Sequence, residues 1–233
     1  MDNYDNLAEA YDAYGKTATT DWLLGYAYVI SALEPLRGKI ILDYGCGTGQ
    51  FSRHLAGNAL KVIGVDVHEE MIRKAESYSS VSIEYRFIQS GDLSFLASDS
   101  VDAAVLNFVT CTISSRTEIC RILSAIIRVL RPNGVVTIMN ANWDKSNGRE
   151  FVSFRLHYAP DLASGQAVYV TLKNAVPLEI TDYYWSVKEY IQMLYETGYH
   201  DLKVEEPIAS DPVIPWIDEK EYPPFSMITG VKP

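Results

Sequence analysis

The chain has 233 residues, a length that suits one globular domain. Its formal net charge of −10 would repel a phosphate backbone, and no run of lysine or arginine offsets this charge, so we expect no nucleic-acid partner. No apolar stretch approaches the ~20 residues that cross a bilayer, and the acidic N-terminus is unlike a secretory signal. Three cysteines without C-x-x-C spacing indicate free thiols in a reducing compartment. We therefore expect a cytoplasmic protein, and the lack of a long apolar stretch leads us to expect no membrane partner.

Strand-like and helix-like segments alternate along most of the chain. The first 35 residues read as helical and rich in aromatic side chains. From Lys39 onward, short apolar runs alternate with segments of helical periodicity, which predicts a parallel sheet with helices on both faces. The runs predicted as strands are Ile40–Tyr44, Val62–Asp66, Ile83–Gln89, Ala103–Phe108 and Gly134–Asn140.

Two of the predicted helices carry start and stop signals. Ser115-x-x-Glu118 predicts a capping box at the first of them, and Pro132-Asn133-Gly134 predicts its end and the turn into the next strand. Ser186-x-x-Glu189 predicts a second capping box. Gly198 is expected at the C′ position after that helix.

Two segments break the alternation. Within residues 143–185, the β-like runs Ala167–Leu172 and Leu178–Trp185 predict an inserted hairpin over the open end of the sheet. Near the C-terminus, Leu202–Glu205 and Phe225–Val231 predict an antiparallel hairpin at the sheet edge. We expect a single domain over residues 1–233, made of a helical cap (1–35), a core (36–142), a lid (143–185) and a C-terminal helix with the edge hairpin (186–233).

Three glycines stand close together after the first predicted strand, in Asp43-Tyr44-Gly45-Cys46-Gly47-Thr48-Gly49. Glycine allows positive φ and lacks the Cβ that would keep a ligand away, and the following helix offers free N–H groups to an anionic group. The carboxyl end of such a strand is where open α/β sheets bind ligands. The glycines could instead serve only strand–helix packing. A nicotinamide or flavin site would need G-x-G-x-x-G, but Gln50 stands at the third glycine.

Polar side chains also follow the other predicted strands. Asp66 ends the second strand, where it can accept hydrogen bonds from both hydroxyls of a ribose or cap the next helix. Asp92 can accept from an exocyclic amine, with Leu93 and Val67 on either side of a flat base, or it is an ordinary turn aspartate. Asn107 ends the fourth strand and is expected to face the same crevice.

In motif order and spacing, residues 36–142 resemble the class I S-adenosyl-L-methionine (SAM)-dependent methyltransferases, particularly their small-molecule branch. The matching stretches are DYGCGTG, VIGVDVHEEMI, QSGDL, SVDAAVLNFV and RVLRPNGVVTIM. The resemblance implies an α/β, Rossmann-like fold with a seven-stranded, mostly parallel sheet. It implies SAM as the cofactor and S-adenosyl-L-homocysteine (SAH) as the product.

The resemblance also implies roles for single residues around that cofactor. His68 departs from the pattern, because a serine often stands at this position of the family. The implied contacts are Asp43, Gly45, Cys46 and Gly47 at the methionine part, Asp66 at the ribose, Val67 and Met71 at the adenine, Asp92 and Leu93 at the adenine amine, Asn107 near the ribose or methionine end, and Tyr14 or Tyr4 closing over the cofactor.

Methyl transfer from a sulfonium requires that a nucleophile be aligned at ~3–3.5 Å and that water be excluded, and an oxygen or nitrogen nucleophile can need a base. His157 in the insert is our candidate base, although it is also explained as an ordinary polar lid residue. We expect a small acceptor with an aromatic or hydrophobic body. The aromatic residues behind this expectation, which would also suit lid packing, are Tyr11, Tyr14, Trp22, Trp143, Phe154, Tyr158, Tyr183, Tyr184 and Trp185.

Other functions remain open at this point. They are a noncatalytic SAM-binding protein, a methyltransferase that acts on proteins and, less favoured, a nicotinamide oxidoreductase. Asn107-Phe108-Val109-Thr110 lacks the two prolines of amino-methylating nucleic-acid enzymes. Asn107 and Asn140-Ala141-Asn142 stand where catechol-type enzymes carry metal-binding acids, so we expect no metal. A homodimer is left open.

Overall fold

The computed structural model describes residues 8–78 and 80–233. The described N-terminal part, from Ala8 to Leu33, contains three helical elements, and Tyr4 lies outside the described residues. The N-terminal elements are α1 (Ala8–Gly15), a π-helical segment (Asp21–Tyr26) and α2 (Ala27–Leu33). The core elements are β1 (Ile40–Tyr44), α3 (Gln50–Ala56), β2 (Lys61–Asp66), α4 (Glu69–Glu76), β3 (Ile83–Phe87), β4 (Val101–Asn107), a 3₁₀ turn (Thr110–Thr112), α5 (Arg116–Val129) and β5 (Leu130–Ala141).

The remaining elements belong to the insert and the C-terminal part. They are α6 (Trp143–Ser146), β6 (Phe154–Leu156), β7 (Ala167–Leu172), β8 (Leu178–Tyr183), α7 (Val187–Glu196), β9 (His200–Glu205) and β10 (Phe225–Val231). No helix within the described ranges combines the length and apolar character that crossing a membrane requires.

The central sheet has seven strands in the order β3-β2-β1-β4-β5-β10-β9. Strands β1 to β5 pair in parallel, and β10 is antiparallel to both β5 and β9, which confirms the predicted edge hairpin. The chain leaves β1 in one direction towards β2 and β3 and then returns to the other side of β1 with β4. A crevice therefore opens beyond the carboxyl ends of β1 and β4, at the switch in strand order.

Helices cover both faces of this sheet with apolar side chains, as the predicted layer architecture requires. Val29, Leu33 and Leu55 of α2 and α3 are buried against one face. Ile122 of α5 and Met193 of α7 are buried against the other face. Strands β3 and β9 are less buried than the strands between them because they form the two edges of the sheet.

The helix signals of the sequence are largely present. Ser186 and Glu189 form the full capping box, and Gly198 follows α7 with a φ of 99°. Ser115 accepts a hydrogen bond from the backbone N–H of Glu118, but the Glu118 carboxylate accepts from the Ser90 hydroxyl at 2.7 Å, so the first predicted box is only half formed. Pro132-Asn133-Gly134 does not end α5 as predicted, because β5 already starts at Leu130 and bulges through this segment.

The insert forms a separate three-stranded antiparallel sheet in the order β6-β7-β8. The predicted hairpin is present as β7 and β8, and β6 adds a third strand that the sequence did not indicate. Residues on one face of this sheet, which we call the inner face, pack towards the core. They are Phe154, Leu156, Val168, Val170, Leu172, Leu178, Ile180 and Asp182.

Candidate functional site

A cavity of about 450 Å³ lies at the carboxyl ends of β1 and β4, where the topology leaves a crevice. This volume is in the range of small-molecule sites. The glycine turn, the ends of β2 and β4, the N-terminal helices and the inner face of the lid sheet all contribute to its wall. The predicted site residues that the structure brings together here are Tyr14, Asp43, Gly45, Cys46, Gly47, Asp66, Val67, Met71 and Asn107.

Two glycines of the turn differ in their surroundings. Gly45 has a φ of 76°, and a Cβ there would lie 2.3 Å from Cγ2 of Val109, so packing requires glycine. Gly47 has a φ of 53°, and a Cβ there would meet nothing within 4 Å. Since Gly47 also lines the cavity, its missing side chain leaves backbone open to a ligand.

Asp66 links the end of β2 to the glycine turn. Its Oδ2 accepts a hydrogen bond from the Gly47 N–H at 2.9 Å, and its Oδ1 accepts one from the His68 N–H at 2.9 Å. The His68 ring nitrogen Nδ1 lies 3.0 Å from the same Oδ1. His68 occupies the N-cap position of α4, so Asp66 is held at the cavity wall and does not itself stand at the cap.

Three further carboxyl groups of the wall are buried, and burial raises the pKa of each to about 7. Asp43 accepts a hydrogen bond from the Ser52 hydroxyl at 2.5 Å, and the charge of Asp66 raises its pKa further. Asp21 accepts from the Tyr14 hydroxyl at 3.0 Å. The third is Asp182, which accepts from the thiol of Cys111.

Acidic side chains predominate among the charged residues of the cavity wall. Its carboxylate side chains are Asp21, Asp43, Asp66, Glu118 and Asp182, while no lysine or arginine of the described part of the chain lines it. Low-dielectric walls of one charge sign strengthen the local potential. The cavity therefore favours ligands that carry a positive charge.

Asn107 contributes an unsatisfied amide to the same wall. Its side-chain nitrogen and oxygen are both buried and have no hydrogen-bond partner within the described protein. An unpaired buried polar group costs about 1–3 kcal/mol, so native structures rarely leave one without a purpose. This amide offers its two N–H donors and its oxygen acceptor to a polar ligand.

Three sequence-predicted site residues lie elsewhere. Asp92 is exposed and accepts a hydrogen bond from the Ser94 N–H at 3.0 Å, which lowers its pKa. Leu93 is buried in the core beneath α5. His157 lies 2.7 Å from Thr171 Oγ1 on the outer face of the lid sheet, because strand alternation turns it away from Leu156. None of the three lines the cavity.

Sequence reasoning also missed several residues of the wall. Asp21 and Tyr26 lie on the π-helical segment, whose side-chain directions helical periodicity does not predict. Asp182 had a usable signal, since it stands at an inward-facing position of an alternating strand. Of the aromatic residues proposed for the acceptor wall, Tyr11, Tyr14, Phe154 and Tyr183 line the cavity, whereas Trp22, Trp143, Tyr158, Tyr184 and Trp185 do not.

Comparison with known proteins agrees with this geometry. Residues 41–134 match the family model of the methyltransferase domain. The chain is 29% identical to N-demethylindolmycin N-methyltransferase of Streptomyces griseus, and the match covers 98% of each chain. Both comparisons support a class I SAM-dependent methyltransferase, and the match to the methyltransferase domain is confined to residues 41–134.

Solved structures show the same fold as this methyltransferase. A SAM-dependent methyltransferase from Thermotoga maritima has a TM-score of 0.68 at 19% identity, with 99% of this chain and 98% of that chain covered. A SAM-dependent methyltransferase from Mesorhizobium loti has a TM-score of 0.66 at 17% identity, with 92% and 98% covered.

The methyltransferase uses SAM, and the cavity fits that molecule. SAM carries a positive sulfonium, and the wall supplies carboxylates without a lysine or arginine from the described residues. SAM also carries hydroxyl, ammonium and carboxylate groups. The unsatisfied Asn107 amide can meet one of them, and the absent side chain at Gly47 leaves room for the molecule.

We expect Gly47→Ala to weaken SAM binding at least ~10-fold, because its methyl group would occupy part of the cavity. A loss of this size corresponds to the loss of one polar contact. Forcing alanine into the left-handed region should also cost about 1–2 kcal/mol of stability. Gly38→Ala is the matched control, because Gly38 has a φ of 84° and open space around it but does not line the cavity. Calorimetric titration with SAM and urea unfolding should show both variants destabilised and only Gly47→Ala impaired in binding. Equal SAM affinity in the two variants would contradict a role for the free space at Gly47 in SAM binding.

Proposed function

We propose that this methyltransferase transfers the sulfonium methyl of SAM to a small acceptor with a flat or hydrophobic body. One observation carries the proposal. A single cavity is lined both by polar, acidic residues of the glycine turn and β2 and by the inner face of the lid, which is apolar except for Asp182.

The cofactor end would be formed by residues that the sequence singled out. We propose that Asp66 accepts hydrogen bonds from the ribose hydroxyls, while Val67 and Met71 contact the adenine. The turn from Gly45 to Gly47 would cradle the methionine part beside Asp43. Asp92 and Leu93 are left out of this set, because neither lines the cavity.

The acceptor end would be enclosed by apolar side chains of the lid and of the strand ends. Val170 and Ile180 face the cavity from the lid, and Phe108 and Phe225 face it from the sheet. Phe108 and Phe225 contact each other edge-to-face with centroids 5.4 Å apart. Aromatic and aliphatic walls bind flat or apolar ligands. A cavity of about 450 Å³, shared with the cofactor, favours a small molecule over a macromolecular segment.

The chemistry needs little activation by the protein. SAM supplies a methyl group that is already electrophilic because it is bound to a sulfonium. The chain's contribution is to align the nucleophile, to exclude water with the lid, and to stabilise positive charge with Asp43 and Asp66. His157 is not retained as a base, because it faces away from the cavity.

The similarity to N-demethylindolmycin N-methyltransferase supports a small-molecule acceptor, since that protein's name refers to a small molecule and the match spans nearly both chains. The test is to incubate the purified protein with methyl-labelled SAM and three acceptor pools: small aromatic molecules, denatured protein and total RNA. We expect label only in the small-molecule pool. Label in protein or RNA, or SAH binding without transfer to any pool, would overturn the proposal.

A further inference from the structure

Asp182 occupies a position that strand geometry reserves for an apolar side chain. It lies on β8, where side chains alternate between the two faces of the lid sheet. Leu178 and Ile180 share its face, and Val168 stands opposite it in the register with β7. Every other residue of the inner face, from β6 to β8, is apolar. Packing therefore does not explain an aspartate here.

The partners of Asp182 within the protein are weak. The residue is 5% exposed and lines the cavity, and the hydrogen-bond donor that reaches it from the described residues is the thiol of Cys111 in the 3₁₀ turn after β4. A thiol is a poor donor, whereas a buried carboxylate needs strong donors or a cation. No lysine or arginine among the described residues of the wall supplies that charge. A cationic ligand would complete this site.

The position of Asp182 relates it to the acceptor end of the cavity. Cys111, its contact, follows Asn107 at the carboxyl end of β4 by one short turn, and β8 packs on this turn. Ile180 and Val170, beside Asp182 on the inner face, form the apolar wall proposed for the acceptor. An acceptor whose body lies against that wall would bring a polar substituent within reach of Asp182.

We propose that Asp182 binds the nucleophilic amine of the acceptor, so that the acceptor class is a hydrophobic molecule with a primary or secondary amine. This inference rests on the proposed function and narrows it from any nucleophile to nitrogen. A neutral hydroxyl would leave the carboxylate without a counter-charge, whereas an ammonium group supplies both charge and N–H donors.

The proton balance of the reaction also suits this residue. An ammonium group first gives one proton to the Asp182 carboxylate, which leaves the nitrogen lone pair free. That lone pair forms the new N–CH₃ bond while the S–CH₃ bond breaks and its electron pair stays on sulfur. The methylated nitrogen is then an ammonium group again, and Asp182 releases its proton to solvent when the product leaves.

The ionisation of Asp182 fits this task. Burial raises its pKa to about 7, so the carboxyl group exchanges a proton near neutral pH. Cys111 from the 3₁₀ turn and Tyr190 from α7 are the titratable groups that feel its charge, and burial raises the pKa of both well above the usual range. Val168 on the neighbouring strand is apolar. Asp182 is therefore the member of this group that titrates near neutrality.

The test compares amines with alcohols of the same shape. Phenethylamine and phenethyl alcohol, and tryptamine and tryptophol, are titrated into the SAH-saturated protein near pH 8. We expect an amine of at least one pair to bind at least ~10-fold more tightly than its alcohol. Asp182→Asn should remove this preference, retain SAH affinity and lower kcat/KM for amine methylation at least ~100-fold. Glu179→Gln is the matched control, since Glu179 is an exposed acid on the same strand.

The outcomes separate this inference from the proposed function. If the wild type does not bind SAH, the proposed function fails first. If SAH binds but no pair shows an amine preference, or if Asp182→Asn keeps the preference, this inference is overturned and the proposed function stands. A purely structural role would lower the melting temperature of Asp182→Asn, whereas we expect that temperature to be unchanged or higher. Independently of any variant, the amine preference of the wild type should disappear near pH 5, where Asp182 is protonated.

Discussion

Replacing Glu219 by alanine is expected to lower the free energy of unfolding by about 3–5 kcal/mol, because three donors lose their acceptor. Glu219 is fully buried and joins three parts of the chain. Its Oε1 accepts from the Thr20 hydroxyl at 2.8 Å and from the Val152 N–H at 2.5 Å, and its Oε2 accepts from the Ile217 N–H at 2.8 Å. These donors belong to the N-terminal helices, the lid segment and the C-terminal loop.

The size of the effect follows from what alanine leaves behind. Removing the acceptor leaves buried N–H and hydroxyl donors unpaired, at a cost of about 1–3 kcal/mol each. Thr20 also donates its backbone N–H to Ser153 Oγ at 2.8 Å. This direct contact between the N-terminal helices and the lid segment remains after the substitution. We therefore expect a partial loosening between the lid and the N-terminal helices.

Urea unfolding measures the loss of stability, and limited proteolysis reports whether the lid segment opens. Glu219→Gln should cost less than Glu219→Ala, because the amide oxygen keeps one acceptor while its NH₂ group faces a donor. Glu221→Ala is the control, since Glu221 is exposed two residues away and should change stability by no more than about 0.5 kcal/mol. Equal stability of Glu219→Ala and Glu221→Ala would contradict the proposed role of the Glu219 carboxyl group in holding these three segments together.

Replacing Asp43 by asparagine is expected to remove a pH dependence of stability that reaches roughly 4 kcal/mol. Burial raises the pKa of Asp43 to about 7, whereas an unfolded chain has its ordinary value of 3.8. Between these values the folded protein keeps a proton that the unfolded chain has lost. Stability therefore falls as pH rises through this window, by about 1.4 kcal/mol per pH unit, and stays low above it.

Asparagine does not titrate, so the variant lacks this decline. Relative to the wild type, Asp43→Asn should become progressively more stable between about pH 4.5 and pH 7, with a constant difference above pH 7. The measurement is urea unfolding of both proteins at several pH values without ligand. Asp161→Asn is the control, because it removes the same formal charge from an exposed position. A pH-independent difference between wild type and Asp43→Asn would contradict the buried-acid description.

Because Asp43→Asn is expected to stabilise the protein, the buried acid at this position indicates a functional role. A chain that keeps Asp43 under the glycine turn is less stable near neutral pH than one with asparagine. The cavity around Asp43 fits a positively charged methyl donor, and we expect Asp43→Asn to bind SAM more weakly. The substitution should thus raise stability and lower cofactor affinity together.

Much of the fold could be predicted because its signals are local and repeated. The apolar run Ile40–Tyr44 is β1 with the same bounds, and the paired runs near the C-terminus form β9 and β10. Strand β6 was missed because Phe154–Leu156 is too short for its alternation to be recognised. The predicted start of β5 was wrong because Pro132-Asn133-Gly134 is typical of a turn. In the structure this segment is a bulge within the strand, where Asn133 has a φ of 63°.

The site was predictable where the chain direction alone decides the side-chain position. Asp66 and Asn107 end parallel strands, Asp43 is the last residue but one of β1, and the carboxyl ends of these strands meet at one edge of the sheet. Asp92 follows a strand as well, but it lies in a loop whose hydrogen bond to Ser94 turns the carboxylate outward. His157 depended on the face of a strand that had not been recognised, so its direction could not be foreseen.

The most direct test of the account is calorimetric titration of SAH into the wild type and Asp66→Ala. The central claim is that the ends of β1, β2 and β4 bind one adenosyl compound, with the Asp66 carboxylate on its ribose. Glu69→Ala serves as the control, because Glu69 is an exposed acid at the start of α4. We expect Asp66→Ala to lose at least ~10-fold in affinity, about 1.4 kcal/mol, while Glu69→Ala binds as the wild type does. Unchanged SAH affinity in a folded Asp66→Ala protein would contradict the claim.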